Sequence, residues 1–362
     1  MFGKTARWYT FFMAQAEHTL CGMSVDEMTA LMKDWGQPAY RAKQIYQQVF
    51  VNLADDPEAM SNLPATLRKR LRDEAPLGNL ELVRVQTGDK GMTRKALFTS
   101  PENVPVESVL MIYEDRATVC VSTQSGCAMK CAFCATGQLG FTRNLTTGQI
   151  VEQVLWAARE IRDTGTDVKA LSNVVFMGMG EPFNNYDSWW ASVERLHDPT
   201  GFDMGARHFT VSTVGIVPGI RRLAQETMEV NLAISLHAAD NDLRTSLVPA
   251  NKKYPIPAIM EAVRDYIAAT RRRVSFEYVL LQGINDGSPE ALALAELLRG
   301  LLCHVNLIPW NPVPGTPLGQ SDRHRVLRFQ EVLHERHVPC TVRVQRGVEI
   351  AAACGQLAGE SK

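Results

Sequence analysis

Between residues 117 and 344 the chain alternates short runs rich in β-branched residues with longer stretches of helical periodicity. The extended runs fall at 117–123, 172–177, 208–213, 230–236, 274–280, 305–308 and 341–344. Helical stretches lie between them at 146–162, 186–196, 218–228, 257–270, 289–301 and 322–336. The first opens on Thr146 with Gln149 three positions on, the pattern of a capping box. Parallel neighbours need a crossover of a dozen residues or more, and a helix is the compact way to make one. Repeated strand–helix units therefore predict an α/β fold with a parallel sheet covered by helices. Periodicity does not separate a doubly wound sheet from a barrel. In either, ligands sit beyond the carboxyl ends of the strands.

Ahead of this body the pattern changes. Residues 26–35 and 40–51 carry apolar side chains at helical intervals on either side of Gly36-Gln37-Pro38, and a third helix is expected at 64–71. Residues 78–108 alternate as short strands. The expected organisation is an N-terminal extension at 1–22, including a short apolar run at 8–13, and a helical accessory unit at 23–77. A connecting β segment at 78–108, the main body at 109–347 and a C-terminal segment at 348–362 follow. A length of 362 residues with 45% hydrophobic content suits one large domain with an appendage. A net charge of −1 excludes a chain-wide polyanion-binding surface. Contact with nucleic acid would have to use local basic runs: Arg68-Lys69-Arg70-Leu71-Arg72, Arg271-Arg272-Arg273, or Arg323, Arg325 and Arg328. No apolar run reaches membrane-spanning length. Eight cysteines, three of them clustered and with no secretory signal ahead, lead us to expect a reducing cytoplasm.

The chemistry concentrates in Cys127-Ala-Met-Lys-Cys131-Ala-Phe-Cys134, a C-x3-C-x2-C loop directly after an extended run. Close thiolates suit a soft metal centre. Three are one short of a closed zinc or iron–sulfur site. A cubane cluster on three thiolates would leave one iron open to a small molecule. Gly178-Met179-Gly180-Glu181-Pro182 ends the next strand; its glycines allow close backbone approach and Glu181 could bind an ammonium group. Ser212, Ser235-Leu236-His237 and Asn311 sit at or just past later strand ends, on one rim. Cys120 and Cys354 lie outside the loop, and spacing alone reads them as small buried hydrophobes, like Cys21, Cys303 and Cys340. A non-catalytic metal-binding redox sensor is the alternative, and it calls for a fourth ligand near the loop; His208 and His237 are distant in sequence.

The cysteine loop, with Phe133 before its last cysteine, resembles the signature of radical S-adenosylmethionine (SAM) enzymes. Val106-Glu107-Ser108-Val109, Arg116-Ala117-Thr118-Val119-Cys120, the stretches 127–145 and 178–187, Ser235-Leu236-His237, Trp310-Asn311-Pro312 and residues 346–357 are similar to the RlmN/Cfr family. These are radical SAM methyltransferases that act on an adenine carbon in RNA. The likeness spans residues 24–357, including Tyr40-Arg41-Ala42-Lys43-Gln44 and Asn62-Leu63-Pro64. It implies a partial (βα)6 TIM-like radical SAM barrel with a small N-terminal helical accessory domain that binds RNA. By resemblance, Cys127, Cys131 and Cys134 hold a 4Fe–4S cluster. Gly180, Glu181, Ser212, Ser235, Leu236, His237 and Asn311 bind SAM, used twice per turnover. Cys354 becomes an S-methylcysteine, Cys120 is the resolving thiol that forms a transient disulfide with it, and Glu107 is the proton acceptor. Pro182 and the N-terminal unit resemble the RlmN form, which methylates carbon 2; a Cfr-like enzyme would methylate carbon 8. The implied partners are 23S rRNA and tRNA and a flavodoxin-type electron donor, with a monomeric enzyme and no membrane. Gly347-Val348-Glu349-Ile350 departs from the acidic pair expected after Arg346-Gly347, and the first twenty or so residues have no evident counterpart.

Overall fold

From Ala117 onward the strands alternate buried apolar residues with partly buried, more polar ones, so one face packs under helices while the other faces an interior cavity. The computed structural model describes residues 19–165, 168 and 170–359; the apolar run at 8–13 lies outside them. One sheet is built from β1 (Glu81–Gly88), β2 (Thr93–Thr99), β3 (Pro105–Ile112), β4 (Ala117–Cys120), β7 (Asn173–Phe176), β8 (Phe209–Thr213), β9 (Asn231–Ser235), β10 (Val274–Leu280), β11 (Cys303–Pro309) and β12 (Cys340–Val342). They stand in that order from edge to edge. The pairs from β4 through β12 are parallel, while β1 to β4 are joined antiparallel. A separate hairpin, β5 (Gln124–Gly126) with β6 (Phe141–Asn144), frames the cysteine loop.

The sheet curls around its own interior. Residues from β3, β4, β7, β8, β10, β11 and β12 all line one cavity of about 500 Å³. On β10, Ser275, Glu277 and Val279 turn inward, whereas Phe276 and Tyr278 pack away from the cavities, the period of two that a strand imposes. Tyr278 meets Phe329 of the helix Arg323–Glu335 with ring centroids 5.1 Å apart. The expected six-unit barrel thus carries β12 as a further parallel strand, paired with β11. Other boundaries move as well. The run at 117–123 breaks after Cys120, and β3 crosses the expected segment boundary at residue 108. The helix expected at 218–228 ends at Leu223.

The N-terminal helices are α1 (Val25–Asp34), α2 (Tyr40–Phe50) and α3 (Ala65–Glu74), the first opened by a full Ser24/Glu27 capping box. The expected extension does not stop at 22 as a free segment: Leu20 and Cys21 are buried and donate backbone hydrogen bonds to Pro76 and Leu77. Three contacts fasten this unit to the barrel. Tyr46 donates to Asp198 at 2.9 Å, and Arg195 donates to the Gly22 carbonyl at 3.3 Å. A Cβ on Gly22 would come within 3.1 Å of the Gly148 backbone, so the two chains touch there. The basic run of α3 is engaged locally: Arg68 and Arg72 face Glu58, and Arg70 pairs with Glu74 and covers Trp35.

Glu152, on the helix Thr147–Thr164, clamps the joint between the two units. Its carboxylate accepts from the Asn79 and Leu80 N–H groups at 3.0 and 2.8 Å. Burial pushes its pKa up to about 7, against the pull of those two donors. A folded pKa above the unfolded value means that the folded state holds the proton more firmly. The stabilisation is then complete below the unfolded carboxyl range, about 4.3, and is lost as pH rises towards 7. Glu152→Gln should remove this slope, so the difference in melting temperature, variant minus parent, should rise between pH 5 and 7. Thermal unfolding in matched buffers measures it.

Candidate active site

The loop that carries the three cysteines is bent by glycine. Gly126 has φ +72°, and a Cβ there would sit 2.0 Å from the Gly140 carbonyl oxygen. Gly137 packs against the Cys131 backbone, where a Cβ would come within 2.9 Å. The loop is tied to the barrel by Ala132 N–H to the Leu247 carbonyl at 3.0 Å and by the Trp310 indole to the Phe133 carbonyl at 3.0 Å. Cys127, Cys131 and Cys134 all line a second cavity, of about 160 Å³, that adjoins the first.

These thiols fit a metal cluster. Burial pushes Cys127 up to about 12, Cys131 well above its usual value, and Cys134 upward, each further raised by the charge of a neighbouring cysteine. Three thiolates in so apolar a pocket call for a cationic centre to pair with. Among the described residues no three His, Cys, Asp or Glu side chains converge as the ligands of a single ion would. A multi-iron cluster asks instead for one thiolate per iron.

Glu181 is buried on the rim of the smaller cavity. Its two oxygens accept from the Phe183 and Val214 N–H groups at 3.0 and 2.8 Å, and burial still raises its pKa to about 7. A bound ammonium would compensate that carboxylate. Gly180 precedes it at φ +102°, with room for no Cβ beside Gln124. Ser212 and Ser235 hydrogen-bond each other at 3.0 Å across neighbouring strands. His237 accepts from the Val279 N–H through Nδ1 at 3.1 Å and stacks edge-on with Phe133. Burial lowers its pKa to about 3, which keeps the ring neutral. Gly180, Glu181, Ser212, Ser235 and His237 all line the smaller cavity.

Arg244, which sequence reasoning passed over, organises this rim. It is fully buried, and its guanidinium donates to the Val214, Ser235 and Leu236 carbonyls at 2.6, 3.1 and 2.9 Å. The Leu236 side chain lies in the apolar core, so what it presents at the rim is backbone, its carbonyl accepting from Arg244.

Cys120 and Cys354, far apart in sequence, both line the larger cavity. Burial pushes the Cys120 thiol up to about 12, with the charge of Cys354 the next contribution. The segment bearing Cys354 is laced to the cysteine loop: Ala135 N–H donates to the Gly355 carbonyl at 2.7 Å, and Thr136 Oγ1 to the Leu357 carbonyl at 2.6 Å. Asn311 Nδ2 donates to the Cys354 carbonyl at 3.0 Å, so it holds this segment while also lining both cavities. Arg343 lies against the Cys354 sulfur, and the charges of Cys354, Glu277 and Cys120 raise its pKa in spite of burial.

Glu107 is placed elsewhere. It is wholly buried, pairs with Lys95 at 3.1 Å and accepts from the Ala358 and Gly359 N–H groups at 2.8 and 2.9 Å. It lies behind the cavity walls rather than in their lining. Lys95 in turn donates to the Ala351 carbonyl at 3.3 Å, so the ion pair grips the C-terminal segment on both sides of Cys354.

Curved parallel sheet, three-cysteine loop and glycine-glutamate turn together define a radical SAM enzyme. Residues 121–295 match the Radical SAM superfamily, and residues 18–77 match the ribosomal RNA large subunit methyltransferase N-terminal domain. A crystal structure of a radical SAM methyltransferase from Sphaerobacter thermophilus superposes with a TM-score of 0.93 at 50% identity, covering 95% of this chain and all of that one. Two relatives described as "probable dual-specificity RNA methyltransferase RlmN" are similar over nearly their whole length. That of Chloroflexus aurantiacus is 59% identical over 96% of this chain and 94% of its own. That of Roseiflexus castenholzii is 57% identical over 94% of this chain and 96% of its own. The chain belongs to the RlmN family of radical SAM RNA methyltransferases, enzymes that work with an iron–sulfur cluster and SAM.

Removing the cation from a buried ion pair typically costs about 3–5 kcal/mol, because the partner charge is left uncompensated. Lys95→Met should therefore lower stability by roughly that amount. It should also open the chain near Ala351 to limited proteolysis, read by chemical denaturation and by mass mapping of the cleavage sites.

Proposed function

We propose that this enzyme methylates carbon 2 of adenosine in 23S rRNA and in tRNA, with Cys354 carrying the methyl group and Cys120 releasing the product. The observation that supports it most is the shared cavity of these two cysteines, next to the three-cysteine loop. A radical SAM enzyme acting on a small molecule, or a metal-binding sensor, has no use for that pair.

Carbon 2 of adenine lies between two ring nitrogens and is electrophilic, so it does not attack a sulfonium methyl group. The cluster and SAM, when bound, supply a transferable methyl group and a hydrogen-abstracting radical. Cys127, Cys131 and Cys134 would hold the cluster, and Glu181 with Gly180, Ser212, Ser235 and His237 would seat SAM. The Cys354 sulfur, a natural nucleophile, takes a methyl group and loses its proton. One hydrogen removed from that methyl leaves a sulfur-bound methylene that bonds to the adenine carbon. Two SAM molecules are consumed, one for each event. After the ring gives up its unpaired electron, which the cluster when bound would accept, and its proton, the Cys120 thiolate attacks the Cys354 sulfur, the sulfur–methylene bond breaks, and the freed carbon takes up a proton to become the methyl product. The adenine has to leave its stack to enter the cavity, and the helical accessory unit is suited to distort the RNA. A flavodoxin-type donor, a cytoplasmic location and a monomeric enzyme complete the reading.

Anaerobically reconstituted protein incubated with RNA, reductant and methyl-labelled SAM should yield 2-methyladenosine on nucleoside mass spectrometry. Cys354→Ala should abolish the label. Cys120→Ala should trap a covalent protein–RNA adduct that survives denaturing electrophoresis. Appearance of 8-methyladenosine would overturn the carbon-2 assignment, and normal methylation by both variants would overturn the mechanism.

A further inference from the structure

Arg343 follows β12 directly and lines both cavities. Its Nη1 is 3.6 Å from Cys354 Sγ, 3.6 Å from Glu277 Oε2 and 3.8 Å from the Met177 sulfur. Glu277 interrupts an otherwise apolar strand between Phe276 and Tyr278, and it is buried. Its Oε1 accepts from Asn306 Nδ2 at 2.7 Å, while Oε2 has no hydrogen bond and faces the guanidinium. A carboxylate buried there needs a cation facing it. The cation that answers it also reaches the sulfur of Cys354, and the chemistry set out above gives neither charge a task.

We propose that Arg343, steered by Glu277, is the positioning residue for Cys354: its guanidinium donates a hydrogen bond to the sulfur and holds it in the cavity, ready to accept the methyl group. This rests on the methyl-carrying role proposed for Cys354. In the accepting step the S–H bond is broken and its proton goes to solvent. The sulfur–methyl bond then forms as the sulfonium–methyl bond breaks, and the donor leaves as a neutral thioether. Negative charge carried by the sulfur before transfer sits against the guanidinium, where a charge-assisted hydrogen bond is strongest. Glu277 keeps the guanidinium from swinging towards the cavity mouth, because leaving would strand its own charge. The planar fork of arginine suits one group that must face two acceptors at once.

The test uses full-length protein, first free of cluster and reduced, then reconstituted. In the cluster-free protein the rate of iodoacetamide alkylation at Cys354 is followed by peptide mass spectrometry at fixed pH. Arg343→Met should slow it roughly tenfold, the effect of one charge-assisted hydrogen bond. Arg343→Lys should recover part of the rate, and Glu277→Gln should slow it less than Arg343→Met does. In the reconstituted enzyme the rate at which Cys354 gains 14 mass units, about one methylene, should fall in the same order. Circular dichroism and full alkylation after denaturation establish that each variant is folded and its thiol intact; if Arg343→Met fails to fold, the lysine and glutamine variants carry the comparison. Parental alkylation and methylation rates in folded Arg343→Met, or in both remaining variants, would overturn the proposal. Absence of methyl on Cys354 in the parental protein would instead overturn the carrier reading, and the alkylation order would still decide the role of Arg343.

Discussion

Two opposite charges with almost no solvent access, Lys95 and Glu107, can be accommodated only if the remaining donors and acceptors around them are also satisfied. Much of that satisfaction comes from the C-terminal segment, through the Ala351 carbonyl and the Ala358 and Gly359 N–H groups. The segment therefore completes the β2–β3 pair electrostatically as well as covering it. Because these anchors stand on either side of Cys354, the position of that sulfur is coupled to the folding of a strand pair remote from it in sequence. Ala352 and Leu357 add apolar contacts with Val109 and Met179 along the same path.

Burial sets the tone of the whole site. Desolvation raises the thiols of the cysteine loop and of Cys120, lifts Glu181 and Glu277, and lowers His237. Each shift disfavours charge, so the pocket lining by itself favours neutral thiols, carboxyls and imidazole. A cationic cluster and the ammonium of a bound amino acid group are the kinds of charge that would complete it. The two arginines divide their labour accordingly. Arg244 satisfies backbone carbonyls beneath the rim, whereas Arg343 stands at the junction of the two cavities, among groups that could carry negative charge.

What could be read from the chain depends on how local the signal is. The order of strands and helices, the Thr146 capping box, the cysteine loop and the glycine-glutamate turn are written in neighbouring residues, and they appear in the fold where expected. Arg244 could not be recognised, since an arginine on a short helix looks like any solvated residue until the carbonyls around it are known. Glu277 left a clue, a carboxylate inside an apolar strand, but its partner Arg343 is separated from it by two helices and two strand crossings. The ion pair of Glu107 stayed hidden for a related reason: its partner sits on an adjacent strand in antiparallel register, and spacing does not report which strands pair. The basic run at 68–72 shows the limit of charge counting, because its arginines are taken up by nearby carboxylates.

The touching backbones of Gly22 and Gly148 bear on how such enzymes can be recombined. The helical unit has apolar helices of its own and looks like a portable module. Yet its entry strand passes so close to the helix Thr147–Thr164 that a side chain on either glycine would have to displace the other chain or Thr19. Glu152, about one helical turn beyond Gly148, holds the linker backbone at Asn79 and Leu80. A chimera that exchanges the helical unit should thus need both glycines kept, and Gly78 of the linker as well, where a side chain would collide with the Glu152 carboxylate. Inheritance of the two glycines as a pair, across a domain boundary, is the evolutionary signature such an arrangement would leave.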